Sequence, residues 1–313
     1  MPNQTVKQLT DGRAALVLVS AWNDSGGGFL TRLLDGHSRL RGWPFELLLG
    51  TTGYHDVPAR LIHDRYRWPL FDPVAGKEAW FDAIADTELK AVLRGTAPRR
   101  FDDYRLPVTL AAWKAAFLAW PLPGQPSRRD IIAAYIDSWF ALCGDKPVAD
   151  RVLGHCPSLV VDWTAIFADC PGAKLVHVVR DPVTGLGDFR RRHPGFDAGA
   201  FAARWALVNG AAIDAKAHRP DAVLIVGYEK LRDAREPELV RMLSFLGLPF
   251  ETETLTPSWQ GRPLTGGHFG PFGGVGAIGV DHDQAMQDSV PQSDRAILIE
   301  AGAHLVDPIA AVT

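Results

Sequence analysis

The residues best suited to chemistry follow a predicted buried strand near the start of the chain. After the apolar run at residues 14–19, the chain reads Trp-Asn-Asp-Ser-Gly-Gly-Gly from Trp22 to Gly28 and then shows helical spacing. Backbone N–H groups of glycines at a helix start bind anions, because no side chain covers them and the helix dipole is positive there. The sequence therefore predicts an anion-binding loop. A plain strand-to-helix turn is the alternative.

A second polar segment follows the predicted strand at residues 174–179 and reads Arg180-Asp181-Pro182. Asp181 fits the N-cap of the next helix, and Pro182 fits its first position. An arginine at the carboxyl end of a parallel strand faces the edge where open α/β folds bind ligands. We therefore predict that Arg180 binds an anion. The basic run at residues 190–193 is either a solvated face or a further anion contact.

The elements that must position these residues form repeated strand-then-helix units. A third strand is predicted at residues 222–228, and its helix stops at Gly247. The first helix is predicted to end at Gly36 in the left-handed conformation. This pattern predicts an α/β fold with three layers and a central parallel sheet.

Residues 57–145 are predicted to form a helical insertion within a single domain that spans residues 1–313. Trp113, Phe117 and Trp120 lie at helical spacing and are predicted to be core, and Ser127 and Asp130 form a capping box. The glycine-rich segment at residues 261–279 is predicted to be a functional loop.

Composition excludes several classes of function. The 313 residues carry 33 Lys and Arg against 36 Asp and Glu, a net charge of −3, so nucleic-acid binding is not expected. Three cysteines without a C-x-x-C pair indicate neither a disulfide framework nor a zinc site, and they favour the cytoplasm. No signal sequence or membrane span is predicted. The oligomeric state stays open.

Taken together, these segments resemble the sulfotransferases that use 3′-phosphoadenosine 5′-phosphosulfate (PAPS). The resemblance rests on four segments in order: LVLVSAWNDSGGGFLTRLLDGH, KLVHVVRDP, VGYEKL with LSFLGLPF, and PSWQGRPLTGGHFG. It implies a P-loop-like fold and transfer of a sulfuryl group from PAPS to a hydroxyl or amine of a small molecule or saccharide. The nucleotide product would be 3′,5′-adenosine bisphosphate, and no metal would be needed.

The resemblance also implies which residues hold the donor. The loop would bind the 5′-phosphosulfate, Arg180 and the residue at position 188 would bind the 3′-phosphate, and a carboxyl-terminal loop would cover the nucleotide. The donor-binding candidates are Asn23, Ser25, Gly26, Gly27, Gly28, Arg180, Asp188, Tyr228 and Arg262.

Three departures from the family pattern bear on the function. Asp24 stands where the family has a catalytic arginine or lysine, Asp188 stands where it has a serine, and glycines replace two threonines of the loop. A negative charge beside a polyanion is unfavourable. The alternative function is therefore a catalytically altered relative that binds a nucleotide or a partner, or that transfers a different group.

Three residues are candidates for the chemical step. Glu46, after Trp43-Pro44-Phe45, is predicted to be the general base, with an ordinary exposed acid as the alternative. His155 could hydrogen-bond the transferring group or carry a charge there, or be a buried structural histidine. Asp24 is predicted to cap the first helix or to pair with His155 or an arginine. The candidate arginines, which could also supply the missing positive charge, are Arg32, Arg39 and Arg41.

Overall fold

The computed structural model describes residues 8–10, 14–47, 68, 74–84, 89, 92–94, 106–144, 149–264 and 280–313. Its central sheet has five parallel strands in the order β2-β3-β1-β4-β5. Their bounds are β1 Ala15–Ala21, β2 Leu40–Glu46, β3 Arg151–His155, β4 Lys174–Val179 and β5 Val223–Gly227. A short antiparallel hairpin, β6 Ser258–Trp259 and β7 Arg262–Pro263, follows the sheet in the chain.

Helices follow β1, β4 and β5, as the sequence pattern predicts. Those of the first half are α1 Gly27–Asp35, α2 Lys77–Ala83, α3 Leu110–Ala119, α4 Arg128–Cys143 and α5 Trp163–Asp169. Those of the second half are α6 Pro182–Arg192, α7 Ala198–His218, α8 Tyr228–Asp233, α9 Arg235–Phe245, α10 Val280–Asp288 and α11 Gln292–Val312.

Both faces of the sheet are covered, which confirms the three-layer α/β prediction. Along β1, Leu16 and Leu18 belong to one hydrophobic cluster and Val17 and Val19 to another, because successive side chains of a strand point to opposite faces. The first cluster includes residues of α4, α6, α7 and α11, and the second includes residues of α1 and α9. A strand buried on both faces explains the unbroken apolar run.

The strand order places the functional loops together. β1 lies between β3 and β4, and α1 leads from β1 toward one edge of the sheet while α6 and α7 lead from β4 toward the other. Such a change of direction opens a crevice outside the carboxyl ends of the strands. The loop after β1 and Arg180 after β4 therefore face the same crevice.

Several local predictions can be compared with the structure. The Ser127–Asp130 capping box is confirmed, and so are the burial of Trp113 and Phe117 and the capping of α6 by Asp181. The left-handed conformation predicted for Gly36 is wrong, because its φ is −68°. Glycine is needed there for a different reason: a side chain would lie 2.9 Å from the Glu253 carbonyl oxygen.

Two predictions fall on residues outside the described part. Both ends of the predicted insertion at residues 57–145 lie there, so its extent stays a prediction, although α2, α3 and α4 do lie between β2 and β3. Most of the predicted glycine-rich loop, residues 265–279, also lies outside the described residues.

Candidate active site

The loop after β1 has the geometry of an anion site. The Ser25 N–H donates to the Trp22 carbonyl oxygen at 3.0 Å, Gly26 adopts φ 92°, and α1 begins at Gly27. A Cβ on Gly26 would lie 2.5 Å from the Tyr228 ring, whereas a Cβ on Gly28 would meet nothing within 4 Å. The first N–H groups of a helix have no acceptor within it and are available to an anion, and the side of the loop at Gly28 is open.

His155 and Glu46 lie beside this loop. They are paired in register at the carboxyl ends of β3 and β2, and residues paired in this way point to the same side of a parallel sheet. A Cβ on Gly27 would lie 2.6 Å from His155 Nε2, so the imidazole packs directly against the loop. The structure thus brings two of the three predicted catalytic candidates next to the loop, which carries the third, Asp24.

The His155 ring is a neutral group in this position. Burial, and then the positive charge of Arg32, lower its pKa to about 3. The imidazole can hydrogen-bond a ligand but carries no charge near neutral pH, so a charged histidine at the loop is not supported. Of the three candidate cations, Arg32 is the one whose charge acts on His155, and its guanidinium is buried.

Arg180 is held by protein oxygens from three segments. Its Nη1 donates to the Asp24 carbonyl oxygen and to Asp188 Oδ2, both at 2.6 Å, and its Nη2 donates to Asp283 Oδ1 at 2.6 Å. The guanidinium lies 4.4 Å from the centre of the Tyr228 ring, and the residue is 4% exposed. The predicted anion-binding arginine therefore already contacts two carboxylates.

The two carboxylates have further partners. Asp283 also contacts Arg232, and Asp188 accepts from His282 Nε2 at 3.0 Å and lies 3.5 Å from Arg191 Nη1. The arrangement is an ion-pair network between α6, α8 and α10. Both carboxylates are thus paired within the protein before any ligand binds.

The prediction for the Asp24 side chain is wrong. The carboxylate pairs with Arg192 at the end of α6, a residue of the basic run, and not with Arg32, Arg39, Arg41 or His155 among the contacts described. Nor does it cap α1, whose N-cap is Gly26, without a side-chain cap bond among the described residues. The sequence could not choose this partner, because 168 residues separate Arg192 from Asp24.

The remaining predicted residues lie at several places. Asn23 is half-buried and Ser25 is buried in the loop, and burial raises the pKa of Tyr228 to about 12, so its hydroxyl stays neutral. Arg262 is exposed on β7, in a hairpin that is fixed to β2 by bonds from Trp259 to Pro44 and from Gln260 to Gly42. It does not join the Arg180 network among the contacts described.

Sequence reasoning missed several residues of the site. Glu229 accepts the Asp181 N–H at 2.9 Å, and burial raises its pKa. Asp283 and His282 lie on α10, which follows the glycine-rich segment. Nothing in the sequence connects that helix to Arg180. Only Glu229 carried a signal, through its place in VGYEKL.

Comparison with known proteins agrees with this geometry. Residues 25–252 match the model of the sulfotransferase family. A sulfotransferase domain from the curacin biosynthetic pathway is 18% identical with a TM-score of 0.51, over 93% of this chain and 97% of its own. A sulfotransferase domain from the Synechococcus PCC 7002 olefin synthase is 18% identical with a TM-score of 0.54, over 94% of this chain and 95% of its own. No curated protein matches the sequence.

The chain belongs to the sulfotransferase family, because the family model covers most of its length. The structural neighbours show the same P-loop-like fold. Family and fold together support sulfotransfer as the activity. Within the part of the chain that the structure describes, no helix is long and apolar enough to cross a membrane.

The two halves of a PAPS molecule fit this site unequally. The space beside Gly28 and the N–H groups of α1 suit a 5′-phosphosulfate. A 3′-phosphate on Arg180 would instead meet the carboxylates of Asp188 and Asp283. One like-charge pair at 4 Å costs about 4 kcal/mol at an effective dielectric constant near 20, which opposes the attraction of Arg180 for a 3′-phosphate, so the 3′-phosphate fits the network poorly.

Proposed function

We propose that this protein transfers a sulfuryl group from a nucleotide 5′-phosphosulfate to a hydroxyl or amine of a small molecule or saccharide. PAPS is the donor that family membership favours. The observation that carries the proposal is the meeting of the glycine loop, His155 and Glu46 at the carboxyl ends of β1, β3 and β2. We place the reaction in the cytoplasm, in keeping with the three free cysteines.

The donor supplies an activated sulfur atom bonded to a phosphate oxygen. Backbone N–H groups at the start of α1 bind the anionic end and stabilise the charge that grows on the leaving phosphate oxygen. The neutral His155 ring hydrogen-bonds an oxygen of the transferred group. Both interactions position the sulfur without a change of protonation, because the histidine remains neutral.

Glu46 removes the proton of the acceptor. As the acceptor oxygen or nitrogen bonds to sulfur, the bond between sulfur and the phosphate oxygen breaks, and the nucleotide 5′-phosphate leaves with that electron pair. The acceptor proton moves to the Glu46 carboxylate. Glu46 is the last residue of β2 and is paired with His155, so a group bound at the loop lies close to Glu46.

A second candidate function is ligand binding without transfer. The observation that favours it is Asp24, which puts a carboxylate in place of the loop cation, with Arg192 as its partner. Arg192 neutralises Asp24 but adds no net positive charge at the loop. This candidate predicts donor binding with no sulfated product.

Labelled donors and a panel of hydroxyl and amine acceptors test the proposal. With the wild-type protein we expect a sulfated product. Glu46→Gln should lower turnover about a hundredfold or more and leave the dissociation constant of the donor unchanged, because only proton removal is lost. The matched control is Glu300→Gln, at an exposed position of α11, which should keep normal turnover.

The possible outcomes separate the two candidates. Donor binding without product in the wild-type protein, across the panel, would favour the binding function. Normal turnover of Glu46→Gln would remove Glu46 from the chemical step but leave sulfuryl transfer in place.

A further inference from the structure

We propose that Asp188 and Asp283 make this protein select a nucleoside 5′-phosphosulfate that has a free 3′-hydroxyl, in preference to one that carries a 3′-phosphate. The inference rests on the proposed function and concerns the donor of that reaction. Its starting point is that both terminal nitrogens of Arg180 donate to protein oxygens, and that two of these three oxygens belong to carboxylates.

The carboxylate of Asp283 is fixed in place by the packing of α10. A side chain on Gly187 of α6 would overlap the Met286 carbonyl oxygen, so the two helices lie in direct backbone contact. Gln287 Nε2 also donates to Thr184 Oγ1 at 3.0 Å. Asp283 is 5% exposed and is held by Arg180 and Arg232 together. The Asp283 carboxylate is therefore a fixed part of the site and does not merely occupy the place of a ligand.

The two carboxylates of the network oppose a phosphate at Arg180. Asp283 is shared by Arg180 and Arg232, and Asp188 is shared by Arg180, Arg191 and His282, so the arginines already have partners within the protein. A phosphate adds two negative charges close to both carboxylates without adding a cation. Burial weakens solvent screening and makes this repulsion stronger.

A 3′-hydroxyl, in contrast, is complementary to the same groups. A carboxylate accepts a hydrogen bond from a hydroxyl, and such a charge-assisted bond is short and strong. Dinucleotide sites follow the same rule, because an acidic residue there binds a ribose hydroxyl whereas an arginine accommodates a phosphate on that oxygen. The Asp188 side chain is 15% exposed and that of Asp283 is 7% exposed, so Asp188 is the more accessible acceptor of the two.

The test uses two probes that differ only by the 3′-phosphate, adenosine 5′-monophosphate and adenosine 3′,5′-bisphosphate. Calorimetry on the wild-type protein should give a dissociation constant at least tenfold lower for the monophosphate. Asp188→Ser with Asp283→Asn should bind the bisphosphate at least tenfold more tightly than the wild type does, and should bind the monophosphate more weakly, because the charge-assisted bond to its 3′-hydroxyl is lost. The single Asp188→Ser variant should change the ratio of the two dissociation constants in the same direction. It replaces the double variant in the test if the double variant does not fold.

Asp294→Asn is the matched control. It removes a carboxylate that pairs with Arg190 at 2.6 Å, also between α6 and a carboxyl-terminal helix, but outside the Arg180 network. The control should keep the wild-type preference.

Tighter binding of the bisphosphate by the wild-type protein would overturn the inference and leave the proposed function standing. Failure of both nucleotides to bind the wild-type protein and the variants would overturn the nucleotide donor, and with it both proposals.

Discussion

Arg180 donates a hydrogen bond of 2.6 Å to the backbone carbonyl oxygen of Asp24 and so ties the carboxyl end of β4 to the loop after β1. Asp24 has φ 61°, in the left-handed region that aspartate adopts more readily than most side chains. Arg180 holds its carbonyl, and Arg192 holds its carboxylate. The loop conformation therefore depends on two arginines from the β4–α6 segment.

Arg180→Gln should destabilise the protein strongly. The substitution leaves the carboxylates of Asp188 and Asp283 with one fewer cation in a buried setting, and breaking a buried pair by removing one partner costs about 3–5 kcal/mol. We expect this loss in the free energy of unfolding measured with urea at neutral pH. Adding Asp283→Asn should recover part of it, because the unpaired charge disappears.

Arg191→Gln is the control for this prediction. Arg191 lies 3.5 Å from the same Asp188, but its side chain is 50% exposed, so its loss should cost less than about 1 kcal/mol. Equal losses for the two variants would show that burial of Arg180 contributes nothing to the strength of its pairs.

The stability of the protein should fall as the pH falls from about 6.5 toward 4. His177 is fully buried, and its Nε2 lies 3.0 Å from Asn209 Oδ1. Burial lowers its pKa to about 4, against about 6.5 in the unfolded chain. The unfolded chain therefore binds a proton in this range that the folded protein does not. This residue can remove up to about 3 kcal/mol, and the effect ends below pH 4.

Unfolding by urea at several pH values measures this dependence. His177→Gln keeps a donor for Asn209. Between pH 6.5 and 4 it should reduce the slope of the unfolding free energy against pH by the equivalent of about one bound proton. His218→Gln is the matched control for the substitution, because it replaces a histidine whose side chain is exposed on α7. An unchanged slope in His177→Gln would mean that the buried ring is not the group that titrates.

The parts of the fold that the sequence predicted are those with local causes. The strand at Lys174–Val179 has the predicted bounds, because a run of β-branched and apolar residues ends at a polar Arg-Asp-Pro signal. The cap at Asp181 depends on neighbours in the chain. The loop after β1 was recognisable because its three glycines are consecutive.

The parts of the site that the sequence did not predict depend on contacts across the fold. Asp283 reaches Arg180 from 103 residues away, and Asp24 reaches Arg192 from 168 residues away. Local patterns carry no information about which of many acids and arginines will meet. Helix capping was the natural local prediction for Asp24, and a distant ion pair replaced it.

Gly26→Ala should destabilise the protein by about 1–3 kcal/mol and weaken donor binding. Gly26 has φ 92°, which side chains rarely adopt, and a Cβ there would lie 2.5 Å from the Tyr228 ring, so the loop and the ring must both move. Gly28→Ala is the control for stability, because a Cβ there meets nothing within 4 Å and alanine favours a helix. Urea unfolding and nucleotide calorimetry provide the measurements. A Gly26→Ala variant as stable as Gly28→Ala, with normal nucleotide affinity, would show that the close approach of Tyr228 does not shape the loop.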